Sequence, residues 1–573
     1  MKTDAITFAV VKNWLDAVVD EMAYTVIRTA RSEIVKDVMD YSAAICNLDG
    51  HMIAQAKTIA LHLGAVPEAM RVVLDQYGGD LEPGDAVILN DPYQGGMHLP
   101  DIFMFVPIFY EHALQGFCVV ICHHTDVGGR VAGSNASDSR EIFQEGLRIS
   151  ALKYFEKGKI NRTLKTIIEK NVRVPDIVLG DLNAQYAACQ VGARGLCKIL
   201  ERYGEKQAQS YFCELLDYAE RMTRAEIRTW PDGTYEFTDY IDDDGFGSGP
   251  LPIVVKLVID DDHIDVNFAG SSPQIKAALN STKSYTNSCT YLSVRCLLRG
   301  DIPNNEGVFR CIDVHAPEAS ILNPVMPAPC AARALTGYRV LDAVFGALSK
   351  AIPGIVPAAG EGGNTVVALG GYAKDRTPFI VVDMLSGAWG GRPDKDGIDA
   401  ITNPSQNLSN TPVETLEARH PVRIEEYSLV PDSCGAGKWR GGLGICRSYR
   451  LLADEATLQL RADRVSFQPY GLAGGGPGRS SLNELISGDV CETLPGKVTR
   501  QVKRNDLIRH EQAGAGGHGD PLLRDAKLVE RDVWNEKISR DFALNQHGVV
   551  IGENGIVDSD ATDKVRASYR ASV

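Results

Sequence analysis

The chain has 573 residues and a formal net charge of −15. That length allows two or more domains with sizeable cores. The acidic balance, with no basic patch to interrupt it, argues against a nucleic-acid partner.

Asp4 can cap a helix that runs to about Arg31. Val10, Trp14, Val18, Met22 and Val26 recur at helical spacing, and Val11, Leu15 and Val19 widen the stripe. Ser42–Cys46 and His51–Ala56 flank Asn47-Leu48-Asp49-Gly50, a strong hairpin turn. Asp40 precedes that hairpin and reads, from its surroundings, as a turn acid. His62 precedes a short helix starting at Pro67 and reads as a structural histidine with a site role open.

The apolar runs Asp85–Leu89 and Ile102–Phe109 enclose Asn90-Asp-Pro-Tyr-Gln-Gly-Gly-Met-His-Leu-Pro-Asp101. Runs bounded by Gly, Pro, Asn and Asp read as strands, so this stretch is a loop between strands. Pro100 argues against a helix through it. His98 and Asp101 are potential metal ligands, and the run Phe117–Cys122 leads to His123-His124-Thr125-Asp126. If Ile102–Phe109 and Phe117–Cys122 form a hairpin turning at Glu111-His112, Asp101 faces Cys122 and His123 lies beside Pro100. If the turn lies nearer Leu114, the pairing slides. His123 and His124 should point to opposite faces, so only one joins His98 and Asp101 directly. Two imidazoles and a carboxylate suit a divalent ion: zinc first, with manganese or iron as alternatives. The plainer reading is a turn-capping His98, a strand-starting Asp101 and a core His123.

From Arg162 to Trp230 the chain reads as helical, broken at Pro175. Residues 235–268 alternate as an antiparallel meander. Asp242-Asp243-Asp244-Gly245 lacks the ligand spacing of a calcium loop and reads as a solvated turn. Leu335–Ala351 reads as a helix. Two glycine-rich loops follow, and Glu361, Asn364 and Arg392 in them are candidate substrate contacts. The alternative is two tight turns between strands. Gly435-Ala436-Gly437-Lys438-Trp439 lacks the Ser or Thr of a phosphate loop, and no strand precedes Gly514–Gly519. No ATP site of the chain's own is expected. Ala526 to Leu544 reads as helical, followed by a polar tail.

The thirteen cysteines include no Cys-x-x-Cys pair; Cys46, Cys189, Cys197, Cys213, Cys296 and Cys446 lie in apolar contexts. They read as buried free thiols in a reducing compartment. With no signal h-region and no run of membrane-span length, the expectation is a cytoplasmic protein that meets no membrane. The fold class expected is mixed α+β and multi-domain, with antiparallel β-rich sheets and flanking helices. The expected divisions are 1–230, a metal-site domain with its helical segment; 231–522, a β-rich domain with glycine-rich loops; and 523–573, a C-terminal helical segment and tail.

The Asn90–Asp101 stretch resembles the signature of the hydantoinase B/oxoprolinase family. Asp40-Tyr41-Ser42, Gln144–Arg148, Gly391-Arg392-Pro393, Asn410–Glu414, Trp439–Gly444 and Gly516–Pro521 extend the resemblance over nearly the whole chain. The resemblance implies a catalytic divalent metal on His98, Asp101 and His123, with Asp40 as a fourth ligand or a base. Asp126 or His124 would orient a ligand. Met97 stands where the family more often has threonine. It also implies a B-type subunit of an ATP-dependent hydrolase of a lactam, hydantoin or 5-oxoproline-type ring. The partner would be a kinase-like A subunit that uses ATP and Mg²⁺ to phosphorylate the small-molecule carbonyl substrate, making a hetero-oligomer. The alternatives are a subunit of an ATP-dependent ketone carboxylase and a non-catalytic scaffold for the kinase-like subunit.

Overall fold

A computed structural model describes residues 4–401 and 404–571. Among these the strands form four sheets, flanked by helices. The first sheet holds β1 (Tyr41–Cys46), β2 (Met52–Gln55), β3 (Ala86–Leu89), β4 (Asp101–Tyr110), β5 (Ala113–His123), β6 (Leu152–Glu156) and β7 (Lys159–Ile160). Its order is β2-β1-β5-β4-β3-β6-β7, with antiparallel neighbours.

β4 and β5 are apolar on both faces because both faces are covered. Ile102, Met104 and Val106 pack with Val11, Leu15, Leu182 and Ala188 of helices Ala5–Thr29 and Pro175–Tyr203. Phe103 and Phe105 face the other way, into a core with Met70, Tyr285 and Val344. The two covering helices cross closely: a Cβ on Gly192 would lie 2.4 Å from Met22 Sδ. Asp4 caps the first helix by accepting from the backbone N–H of Thr7 at 2.9 Å. Its buried stripe runs through Val11, Leu15, Val18, Val19, Met22 and Val26, whereas Val10 of the expected stripe is 41% exposed. The expected break at Pro175 is present: helix Arg162–Asn171 ends before it, and Pro175 opens the second helix, where its missing N–H costs nothing at a first turn.

The expected meander forms a second sheet from Gly233–Ile241, Leu251–Asp260 and His263–Asn267, joined in parallel by Ile312–His315. A third sheet orders Pro378–Met384, Val366–Tyr372, Glu455–Arg461 and Lys497–Lys503. A fourth orders Val422–Leu429, Ile445–Leu451, Leu507–Glu511, Leu482–Ser487 and Val490–Thr493. No helix of the described residues is long and apolar enough to cross a membrane.

Several local expectations change. Asp242 is not solvated: its carboxylate accepts the backbone N–H groups of Val465 and Phe467 and pins the neighbouring loop. Part of the expected polar tail is a helix, Ser559–Ala571. Cys213 and Cys296 are exposed, while nine of the thirteen unpaired cysteines are buried. The glycines near residues 435–442 and 471–519 pack backbone on backbone: a Cβ on Gly441 would lie 1.9 Å from the Ala515 carbonyl oxygen. Side chains are excluded there by contact between segments, not by an approaching ligand.

Candidate metal centre

The Asn90–Asp101 loop is held from both ends. Asn90 donates its side-chain amide to the carbonyls of Leu99 and Leu147 and accepts from the N–H of Ile149. Asp91 caps the turn at Tyr93. Gly95 has φ +88°, and a Cβ there would lie 2.4 Å from the backbone nitrogen of Ala69. Ser284 then donates to the Gly96 carbonyl at 2.8 Å. Met97 is fully buried in the apolar core. The loop closes with the N–H of Asp101 on the carbonyl of His98 at 3.1 Å, which sets both side chains on one side of the turn.

β5 supplies the third group. The β4–β5 turn centres on Glu111 and His112, both at positive φ, as one expected alternative had it. Yet Asp101 pairs with His123, not Cys122. Ile108 pairs with Gly116 and Phe109 with Leu114, so Gln115 is an extra residue on β5. This bulge slides the register by one.

His98, Asp101 and His123 are fully or almost fully buried, and their potential ligand atoms all lie within 4.8 Å of one another. His98 Nε2 is 3.3 Å from Asp101 Oδ1. His98 Nδ1 donates to the carbonyl of Ala331 at 2.9 Å, leaving the Nε2 lone pair free. His98 Nε2, Asp101 Oδ1 and His123 Nδ1 are buried without hydrogen-bond partners. Buried polar atoms are normally satisfied, and three orphaned acceptors in one place fit a cation.

Burial and the nearby Arg333 push the His98 imidazole down to about 4, and burial with His98 beside it pushes His123 well below its usual range. Both rings are therefore neutral, the form that binds metal. Burial opposes ionisation of Asp101, but with His98 neutral the paired Arg333 guanidinium holds the carboxyl below the usual carboxylate range.

The surrounding cavity is lined by Asp40, His62, Tyr285, Arg333, Asn364 and Arg461, among others. Asp40 stands outside the trio; burial and the Asp101 charge push it up to about 8. Its Oδ1 is 3.7 Å from His62 Nε2, while His62 Nδ1 is 2.9 Å from the Ser42 hydroxyl. Arg333 pairs with Asp101 Oδ2 and lies 4.3 Å from the Tyr285 ring centre. Arg461 donates to Asn135 Oδ1 at 2.7 Å, Asn364 Oδ1 at 3.1 Å and the Ala331 carbonyl. Burial and Arg333 push Arg461 down to about 10, so it stays charged at neutral pH.

Not every candidate residue meets here. His123 and His124 do point to opposite faces: His124 Nε2 is 3.1 Å from Gln185 of the covering helix. Asp126 accepts from Arg173 and from the backbone of Gly128 and Gly133, a loop-holding role. Asn364 lines the cavity, whereas Glu361 accepts from the N–H of Gly363. The Arg392 guanidinium is taken by the carbonyl of Asp396. The residues that sequence reasoning passed over are Arg333, Arg461, Tyr285 and Tyr338; for His62 it left a site role open, and His62 lines the cavity. Arg333, in Cys330-Ala-Ala-Arg-Ala-Leu335, and Arg461, at the end of Leu458-Gln-Leu-Arg-Ala462, each put a cation inside an apolar run. That was a usable signal, because lone buried charges are rare unless paired.

The caprolactamase subunit beta of Pseudomonas jessenii is 33% identical to this chain over 582 residues, 99% of each. The crystal structure of the ATP-dependent caprolactamase from that organism superposes with a TM-score of 0.93 over 99% of this chain and 100% of the matched chain. The 5-oxoprolinase of Dictyostelium discoideum is 29% identical over 536 residues, 91% of this chain and 41% of that longer protein. A nucleotide-free acetone carboxylase structure, 20% identical, shares the fold with a TM-score of 0.93 over 100% of this chain and 83% of its own. The pattern of the hydantoinase B/oxoprolinase family matches residues 4–521, and the chain belongs to that family.

Proposed function

We propose that this chain is the metal-holding subunit of an ATP-dependent cyclic-amide hydrolase. A separate kinase-like subunit, holding ATP and Mg²⁺, would phosphorylate the carbonyl oxygen of a lactam, hydantoin or 5-oxoproline-type ring. This chain would then hydrolyse the activated ring. The observation that carries the reading is the convergence of three orphaned buried ligand atoms on His98, Asp101 and His123. The names of the relatives, caprolactamase and 5-oxoprolinase, supply the substrate class. The carboxylase alternative rests on a 20% identical structure and so on fold alone.

His98, Asp101 and His123 would hold a divalent cation, zinc before manganese or iron, which would supply Lewis-acid chemistry at the reacting centre. The chain's own groups do the rest. An amide carbonyl is a poor electrophile because nitrogen donates into it, and O-phosphorylation removes that donation. Water adds to the carbon of the N-protonated imidate while Asp40, in its ionised form, takes one water proton, leaving a tetrahedral carbon that bears hydroxyl, phosphate and amine. Asp40 gives that proton to nitrogen, the ring C–N bond breaks as the hydroxyl proton passes to Asp40, and Asp40 hands it on to the departing amine, leaving an acyl phosphate and an ammonium group. The remaining acyl phosphate is hydrolysed by a second water to carboxylate and inorganic phosphate. Arg333 and Arg461 stabilise the negative charge, and Asn364, held by Arg461, contacts the substrate.

The test is elemental analysis of the purified chain beside His98→Ala/His123→Ala, with ATP-dependent ring opening assayed after adding the partner subunit. The reading expects about one metal per chain, lost together with turnover in the variant. Metal-free wild type with full activity in the complex would instead favour a scaffold.

A further inference from the structure

Two arginines stand in the metal cavity with their charge only partly answered. Arg333 is 5% exposed and Arg461 4% exposed, and the Nε of each is buried without a partner. Arg333 spends one nitrogen on Asp101, while Arg461 donates to neutral amide and carbonyl oxygens. The other charged side chain lining the cavity is Asp40; the remaining lining groups are histidines, tyrosines, Asn364, Gln406 and apolar residues.

A divalent cation on His98, Asp101 and His123 with both arginines brings four positive charges into one buried space. Asp101 and Asp40 return at most two. An uncompensated buried charge is costly, and its usual remedy is a counter-ion of matching charge and geometry. The excess is at least two, which calls for a dianion rather than a monoanion. Guanidinium groups present a planar fork of donors suited to phosphoryl oxygens. Tyr285 stacks on Arg333, and Asn135 and Asn364 grip Arg461, so neither fork needs to be ordered when a ligand arrives.

We infer that Arg333 and Arg461 form, beside the metal ligands, a binding site for a phosphoryl dianion. This inference rests on the metal-centre reading of the same cavity. It makes phosphorylation a recognition tag as well as an activating group. An unphosphorylated ring leaves the excess charge unanswered and binds weakly, so the cavity admits the product of the partner's kinase step in preference to its substrate.

The experiment is calorimetric titration of the zinc-loaded, isolated full chain with inorganic phosphate, with phenyl phosphate and with acetate as a monoanion control. Wild type should bind at least one of the phosphoryl dianions and bind acetate far more weakly. Binding of phenyl phosphate at least as tight as phosphate assigns the site to a phosphorylated substrate; preference for phosphate assigns it to the released product. Arg461→Gln should keep its zinc by elemental analysis and lose at least about tenfold in dianion affinity, since a hydrogen bond to a charged group is lost. Arg461→Lys should recover part of it. Zinc-loaded wild type that binds neither dianion, or a zinc-retaining Arg461→Gln that binds as wild type does, overturns the site. These measurements need neither partner nor turnover. A complex that opens no cyclic amide therefore sinks the functional proposal while leaving the anion site to its own result.

Discussion

His98 Nδ1 donates to the carbonyl of Ala331, and the N–H of Ala331 donates in turn to the Glu145 carboxylate at 2.9 Å. The second Glu145 oxygen accepts from the N–H of Cys330 at 3.0 Å. A clamp on one segment thereby fixes the tautomer and ring plane of a candidate ligand on another. Groups of this kind are worth about 10–100-fold in metal affinity.

Glu145→Gln puts an NH₂ against one of the two backbone N–H donors. We expect zinc affinity to fall by about tenfold or more, with a stability loss of about 1–3 kcal/mol. Chelator competition and urea midpoints measure the two effects separately. Unchanged zinc affinity in a folded variant would refute the clamp.

The register of β5 on β4 decides which residue faces Asp101. Gln115 is the residue without a partner on β4, so deleting it leaves Ile108 opposite Gly116 and Asp101 opposite His123, and the deletion should still bind zinc. One alanine inserted between Gly116 and Phe117 instead puts Cys122 opposite Asp101 and displaces His123 by one position, to the opposite face, and this variant should bind no zinc. Zinc retained by a folded insertion variant would show that the register does not place the ligand.

His123 and His124 are adjacent and point to opposite faces. His123→Ala should abolish zinc binding, and His124→Ala should leave stoichiometry intact. The second variant instead loses the contact with Gln185 and leaves a void, at about 1–3 kcal/mol of stability. Metal content and denaturation midpoints of the pair decide this, and zinc loss from His124→Ala alone would reverse the assignment.

Acid should destabilise the protein through His510, which does not line the cavity. Burial pushes His510 down to about 3, and its Nδ1 is held by Asn483 at 2.7 Å. Its folded value lies below the unfolded value of ~6.5, so below that pH the unfolded chain binds a proton that the folded chain refuses. The stabilisation is complete above the unfolded pKa and declines as pH falls towards about 3. From pH 8 to pH 5 the loss should be about 2 kcal/mol. Urea midpoints of wild type and His510→Gln at the two pH values check it: the variant is weaker overall, but its pH slope is shallower by that amount.

Much of the centre was readable locally. His98 and Asp101 share one turn, and one hairpin returns the chain to His123, so turn chemistry and alternation were enough to bring the three near one another. The register was not readable, because a one-residue bulge leaves no mark on the period-2 pattern at either side of it. Nor was the fate of Glu361 and Arg392. Glycine-rich loops resemble ligand-binding turns, but Gly390 and Gly391 let backbone touch backbone, and Gly362, Gly363 and Gly387 make room for the side chains of Asp342 and Glu361.

The sequence by itself determined the elements, the loop, the ligand types and the resemblance to a family. These follow from short-range rules: side-chain periodicity, the φ limits of proline and glycine, and cap and turn chemistry. Only the tertiary structure decided that Arg333 and Arg461 meet at Asp101 and Asn364, that His62 reaches Asp40, and that His124 and Asp126 turn away. Those groups come from distant segments, and their meeting is set by how sheets and helices pack. Periodicity reports which side of an element is buried; it carries no term for what lies on the other side.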